Sequence, residues 1–317
     1  MSDALTYARQ LLGKLHGYPL WVPEPYGHSV IYRTKGVRIG DVGYITQDGA
    51  FETLFNIRAP PDHPINRRGV PENFEQVEIS HDDIVFLKNF HGKNSAVTSL
   101  SAQQRSLGIA GSTTDNPLIP AGAGAGFEYS WSTSSGAILH LPQGGSRLSA
   151  PDDLFREQAL KHATKWYKFV LRSLRRRISN GSLYLIKVDS WMVGAFSDSS
   201  SDSQVAIQLG LAGMAEGQAS YNYTWSSSSP PIYRVGPDNE SVPIEAVDVD
   251  ALEFDDDLFS IDAPGGRNQS VFVRGYRISL NRSVMSQILG GSVQVQVSSI
   301  EDSKPGEIAR SRTDSLV

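Results

Sequence analysis

Residues 126 to 135 read GFEYSWSTSS, and strict alternation puts Phe127, Tyr129 and Trp131 on one face of a strand with Glu128, Ser130 and Ser132 on the other. Residues 220 to 229, SYNYTWSSSS, repeat the stripe as Tyr221, Tyr223 and Trp225 opposite Asn222, Thr224 and Ser226. A glycine-rich stretch precedes each copy, GAGAG at 122 to 126 and GLAGMAEGQ at 210 to 218, and Val205, Ile207, Leu209 and Leu211 alternate just before the second. These patterns predict two long β-hairpins. One apolar face is what any half-buried sheet shows, so core packing is the plain reading of both stripes. The recurrence, the nearly uncharged Ser-rich opposite faces and the adjoining glycines support a second reading, strands able to leave the core and extend. Residues 127 to 135, 203 to 211 and 221 to 229 each approach the roughly 9–11 alternating residues that cross a bilayer as a tilted strand.

A helix is predicted between the hairpins, from about Asp152 to Leu174, with Ser149 to Asp153 supplying a cap, an early proline and first-turn acids. Ser179-Asn180-Gly181 is its expected stop. Phe155, Ala159, His162, Trp166, Phe169 and Val170 fall on one arc at helical spacing. Lys161, Lys165, Lys168, Arg172 and Arg175 run beside that arc, and Arg176 and Arg177 continue the charge. Residues 151 to 180 hold eight Lys and Arg against three acidic residues, although the whole chain has a net charge of -5.

Working outward, Leu5, Ala8, Leu11, Leu12 and Leu15 are spaced as an N-terminal helix ended by Tyr18-Pro19, and Pro19, Pro23 and Pro25 imply an extended loop carrying Trp21 into the core. Residues 42 to 46 and 50 to 57 flank a Gln47-Asp48-Gly49 turn as a short hairpin. From Asp83, IVFLKNF and AVTSLSAQQRSLGIAG read as a partly polar strand pair or one bulged strand. SLYLIKV (182 to 188), VFVRGYRISL (271 to 280, with Phe272, Tyr276, Ile278 and Leu280 on one side) and VQVQV (293 to 297) read as strands, and the acidic stretch between 236 and 268 as a loop. The expected fold is α+β: a single large domain over 1–298 with a twisted, mostly antiparallel sheet, two long hairpins and a basic amphipathic helix between them, followed by a polar flexible tail at 299–317.

Composition narrows the function classes. A hydrophobic share of 39% with 20% charged residues suits a folded chain, and the negative net charge argues against nucleic acid as a partner. With no cysteine there is no disulfide, thiol nucleophile or Cys-ligated zinc, which fits a reducing compartment. Arg9, Gln10 and Lys14 interrupt every candidate signal-peptide core, so a cytoplasmic location is expected, and the Asn-x-Ser/Thr sites at Asn180, Asn222, Asn239, Asn268 and Asn281 reflect composition. GAGAG leads into a strand, not a helix N-terminus, which removes the physical basis for phosphate binding there. No Gly-x-Ser-x-Gly elbow, Walker lysine, His-Glu-x-x-His pair or calcium-loop order occurs. Asp62-His63 and His81-Asp82-Asp83 are the candidate acid-base pairs, with solvated loops as the simpler explanation. No catalytic residue, metal or cofactor is expected.

GYPLWVPEP, GVRIGDVGYITQDGAFETLFNI, ISNGSLYLI and NQSVFVRGYRISL resemble a family of uncharacterised fungal proteins that carries no activity to transfer. The order of hairpin, basic helix, Leu183-Tyr184 strand, second hairpin and Phe272-Val273-Arg274 strand also resembles the pore-forming domain of gasdermins. That resemblance implies two extendable hairpins, around 95 to 139 and 190 to 229, and a basic surface for acidic lipid at 161 to 177. The chain departs from gasdermins in lacking a cysteine for acylation and in its proline-rich 18 to 25 loop, and the short tail stands as a candidate inhibitory element. The function expected is a non-enzymatic, membrane-engaging, pore-forming protein kept soluble until triggered. Lys161, Lys165, Lys168, Arg172, Arg175, Arg176 and Arg177 would meet anionic lipid; Phe127, Tyr129, Trp131, Val205, Ile207, Leu209, Leu211, Tyr221, Tyr223 and Trp225 would face the membrane in a homo-oligomer. The alternatives are a soluble module binding a ligand or protein through a Tyr/Trp/Ser surface, and an enzyme with an acid-base site near His63 or His81.

Overall fold

Helix α1 (Asp3–Leu11) buries Ala4, Tyr7, Ala8 and Leu11, then tightens into a 3-10 turn over Leu12–Lys14. The expected apolar stripe is shortened, because Leu15 takes a left-handed conformation (φ 60°) and points outward, 68% exposed. This is a computed structural model, and it describes residues 2–24, 36–92, 95–99, 102–106, 127–131, 135–141, 144–188, 192–195, 205–211, 232–236, 267–281 and 295–299.

The strands, in chain order, are β1 (Tyr18–Pro19), β2 (Asp41–Ile45), β3 (Phe51–Asn56), β4 (Val85–His91), β5 (Ser95–Thr98), β6 (Ala102–Ser106), β7 (Phe127–Trp131), β8 (Ser135–Leu141), β9 (Gly145–Ser149), β10 (Leu183–Val188), β11 (Met192–Ala195), β12 (Val205–Leu211), β13 (Ile232–Gly236), β14 (Arg267–Ser270), β15 (Phe272–Leu280) and β16 (Val295–Ser299). Every pairing among them is antiparallel, so the α+β class with a curled antiparallel sheet holds. A ten-stranded sheet runs β1-β15-β10-β9-β11-β14, with β16 on β15, β2 on β10, β3 on β2, and β4 on β9. Gly275 and Gly43 allow the close pairings at β15/β10 and β2/β3: an added Cβ would strike the Leu185 carbonyl oxygen in the first and that of Glu52 in the second.

Helix α2 (Asp152–Lys168) lies on this sheet and continues as a π-helical turn over Phe169–Ser173. All six residues of the predicted arc are buried, and Phe55 of β3 meets Trp166 and Phe169 edge to face at 5.9 and 5.6 Å. The buried Tyr167 hydroxyl donates to the Ile278 carbonyl (2.7 Å) and accepts from the Gly181 N–H (2.9 Å), tying α2 to β15. Both ends of α2 differ from the sequence expectation. Ser149 is consumed by β9, where it pairs with Val85 and Val188, so Pro151 occupies the cap position without a side-chain hydrogen bond. The helix stops before Asn180, because Arg175 turns left-handed (φ 52°) and the Arg176 N–H closes the end on the Val170 carbonyl (2.9 Å). Asn180 serves instead as a side-chain rung for β15: it accepts from the Leu280 N–H (2.7 Å) and donates to the Leu280 carbonyl (2.5 Å).

A second stabilising centre is polar. Asp41, Asn56 and Asn66 are fully buried around the β2/β3 hairpin, where the Asp41 carboxylate accepts from Arg38 N–H (2.7 Å), Thr53 hydroxyl (3.2 Å) and Asn56 Nδ2 (2.8 Å). Asn66 closes the 59–66 loop by donating to the carbonyls of Asn56, Ala59 and Pro60 and accepting from Asn56 N–H. The predicted acid-base residue His63 belongs to the same loop: it is buried, and its Nδ1 accepts from the Ile65 N–H (3.1 Å), capping the 3-10 turn at 64–66.

Candidate functional site

Strands β4, β5 and β6 pair in nested order with β9, β8 and β7, as the two arms of one hairpin. Val85 pairs with Ser149 and His91 with Gly145 in β4/β9; Ser95 with Leu141 and Thr98 with Ile138 in β5/β8; Ala102 with Trp131 and Ser106 with Phe127 in β6/β7. The strand expected from Asp83 is therefore the first arm of this hairpin. A register change between Leu87 and His91, with Asn89 at φ 56°, bends that arm. The base of the hairpin belongs to the ten-stranded sheet, its middle to a four-stranded sheet (β13-β12-β8-β5) and its β6-β7 end to a two-stranded one. The described strands of each arm together hold about 16 residues, or roughly 50 Å of strand, more than a bilayer core requires.

The second hairpin is nested in the same way, with Met192 opposite Ser270 and Ala195 opposite Arg267 in β11/β14, and Val205 opposite Gly236 and Leu209 opposite Ile232 in β12/β13. Val205, Ile207, Leu209 and Leu211 lie on β12 as expected, but the described partner strand is β13, which the sequence did not reveal. The two hairpins share a sheet: β12 pairs with β8 from Ala206 opposite His140 to Leu211 opposite Ser135, and β11 touches β9 at Met192 opposite Ser146. Phe127, Tyr129 and Trp131 lie on β7. Tyr221, Tyr223 and Trp225, the glycine-rich stretch at 122 to 126, most of that at 210 to 218, most of the acidic loop and the tail beyond Ser299 lie outside the described residues.

What covers the first hairpin was not foreseen. Ala137, Leu139 and Leu141 of β8 and Val97 of β5 are buried in a cluster with Ala4, Tyr7 and Leu11 of α1, Trp21, Val22, Ala50, Val271 and Phe272. Tyr7 and Trp21 meet edge to face at 5.3 Å, and burial pushes the Tyr7 hydroxyl pKa far up. Helix α1 is thus the lid on the hairpin's apolar middle. Its packing role was readable in the periodicity; its target was not, because β8 is remote in sequence.

The seven basic candidates divide. Lys161 is held by Glu75 (2.5 Å), whose carboxyl pKa is lowered chiefly by that hydrogen bond and which also lies 3.5 Å from Nε2 of the buried His162. Arg176 pairs with Glu52 (2.9 Å), and Glu52 also binds Arg68 (3.1 Å) and accepts from the Tyr44 hydroxyl. Burial first, then the Glu52 carboxylate, push Tyr44 up to about 12. Lys165 is half-buried, while Lys168, Arg172, Arg175 and Arg177 are exposed. Glu52 and Glu75 are the counter-charges that sequence inspection missed. Neither neighbours α2 in the chain.

The left-handed Arg175 yields a test of the helix end. A non-glycine residue there costs roughly 1–2 kcal/mol and the extra freedom of glycine in the unfolded chain takes back about 0.4–1, so Arg175→Gly raises stability by about 0.5–1 kcal/mol. A higher urea midpoint at unchanged slope checks it; a lower one contradicts it.

Among the described residues, no helix is long and apolar enough to cross a membrane, and no three His, Asp or Glu side chains are grouped to hold a metal ion. His81 lies in a 3-10 turn at 81–83 with Asp82 and Asp83 exposed. No protein-family model matches the sequence, and no curated protein or solved structure shows significant similarity to it.

Proposed function

We propose that this chain is a non-enzymatic, gasdermin-like pore-forming protein, held in a resting form by α1 and the sheet until its hairpins extend into a membrane. The observation that carries the reading is the nested pairing of β4/β9, β5/β8 and β6/β7, two arms rooted in the main sheet and flanked along β8 by β12 of the second hairpin. Extension would keep the internal ladders of each hairpin while surrendering contacts to α1 and to the neighbouring strands, so the laddered backbone stays hydrogen-bonded, as a bilayer demands. Anionic lipid would dock first on Lys165, Lys168, Arg172, Arg175 and Arg177, and neighbouring copies would close the barrel edge.

The test is release of trapped dye from anionic and from zwitterionic liposomes by the full chain. Release from the anionic vesicles, weaker from the zwitterionic ones and falling as salt is raised, is the expected result. Intact vesicles of both kinds at neutral and at acid pH would overturn the proposal.

A further inference from the structure

We propose that His16 and His91 form a proton-operated latch between the N-terminal segment and the base of the first hairpin, closed at neutral pH and released in acid. It rests on the pore-forming reading for its purpose and supplies that reading with a trigger. The two imidazoles meet edge to face with centroids 5.1 Å apart. His16 follows α1, the lid on Ala137, Leu139 and Leu141, whereas His91 ends β4 at the hairpin's root opposite Gly145. Their contact therefore joins the lid to what it covers.

Both rings are aimed by backbone geometry. On one side the Arg274 guanidinium donates to the Leu15 carbonyl, and Gly17 (φ 122°) follows His16 where a Cβ would come within 2.8 Å of the Val273 carbonyl oxygen. On the other, the Asn89 bulge turns Phe90 and His91 toward His16, with Phe90 and Phe272 completing an aromatic collar at 6.4 and 5.5 Å from the His16 ring. Arg147 of β9 sits over the Phe90 ring at 5.4 Å.

Four cationic or titratable groups bear on the pair and lower its basicity: Arg274 of β15, Lys14 of the preceding turn and Arg147 of β9 act on His16, and His16 itself acts on His91. Burial, reinforced by these cations, lowers the His16 pKa, and burial with the facing imidazole brings His91 down to about 4. An opened lid leaves the imidazoles near the ordinary value of about 6.5, so the open form binds more protons between that value and about 4. Closure is therefore complete above about pH 6.5 and is lost as pH falls toward 4, where two new charges would stand beside three fixed ones.

Hydrogen exchange of the full chain, corrected for intrinsic rates and read without membranes at pH 7.5 and 4.5, tests the latch. Acid should cut protection of residues 3–15 and 135–141 about tenfold or more, while 159–170 within α2 and its π-helical turn stay protected; H16Q/H91Q should lose that acid response. Unchanged protection, or equal loss across α2, would overturn the latch. Should the double variant fold poorly, proton NMR of the wild-type imidazoles decides: a depressed His91 midpoint supports it and an ordinary one overturns it. Liposome leakage in parallel separates the two proposals. Acid-opened protein that releases no dye upholds the latch and sinks pore formation, whereas leakage at pH 7.5 that acid does not change, with exchange unaltered, does the reverse.

Discussion

Asn56→Ala lowers the unfolding free energy by about 3–5 kcal/mol, the largest single-residue effect expected in this fold. The Asn56 side chain has all four of its hydrogen-bonding positions filled: Nδ2 donates to the Ile39 carbonyl (3.0 Å) and the Asp41 carboxylate (2.8 Å), and Oδ1 accepts from Arg58 N–H (2.8 Å) and Ala59 N–H (3.3 Å). Asn56 and Asp41 are both fully buried, so truncation strands several polar groups where water cannot replace the amide. Asn56→Asp is expected to be no rescue, because it sets a second carboxylate against buried Asp41 and removes two donors. A urea denaturation series measures both; an Asn56→Ala loss under about 1 kcal/mol would show that the β2/β3 network does not hold the root of the sheet.

The second large effect concerns the basic helix. Replacing Lys168, Arg175 and Arg177 together by Gln should weaken binding to anionic vesicles about a hundredfold, since each cation near such a surface contributes about 1 kcal/mol. These three are exposed and make no ion pair among the described residues, so the fold should be nearly unaffected. Lys161 and Arg176 are deliberately left in place because Glu75 and Glu52 already neutralise them. Co-sedimentation at two salt concentrations reads the loss directly. Equal binding by the triple variant and the parent chain would place the lipid-facing surface elsewhere.

The residues show why some of this was readable in advance. The α2 arc, the β2/β3 hairpin and the one-sided strand β15 carry their signals in short periodicities, because burial on one face imposes a spacing of 3.6 or 2 residues. Element ends were harder. Ser149 looks like a cap but is claimed by β9, and Arg175, with no local mark of a stop, adopts the left-handed turn usually given to glycine. Long-range partnership was hidden altogether: nothing local to β12 says that it pairs with β8 and β13, and nothing near α2 announces Glu52 and Glu75 as its counter-charges. The lid and its histidine contact belong to the same class, since residues 16 and 91 meet only after α1 and β4 have docked on the sheet.

The chain contains no cysteine, so single cysteines at positions 127 to 131 can each carry one fluorophore without background labelling. Quenching by nitroxides placed in the acyl chains of anionic liposomes then reports which side of β7 meets lipid. If the first hairpin leaves the sheet and crosses the bilayer, labels at Phe127, Tyr129 and Trp131 are quenched and those at Glu128 and Ser130 are not. Five labels that remain equally unquenched on the membrane would mean that the hairpin never leaves its resting position.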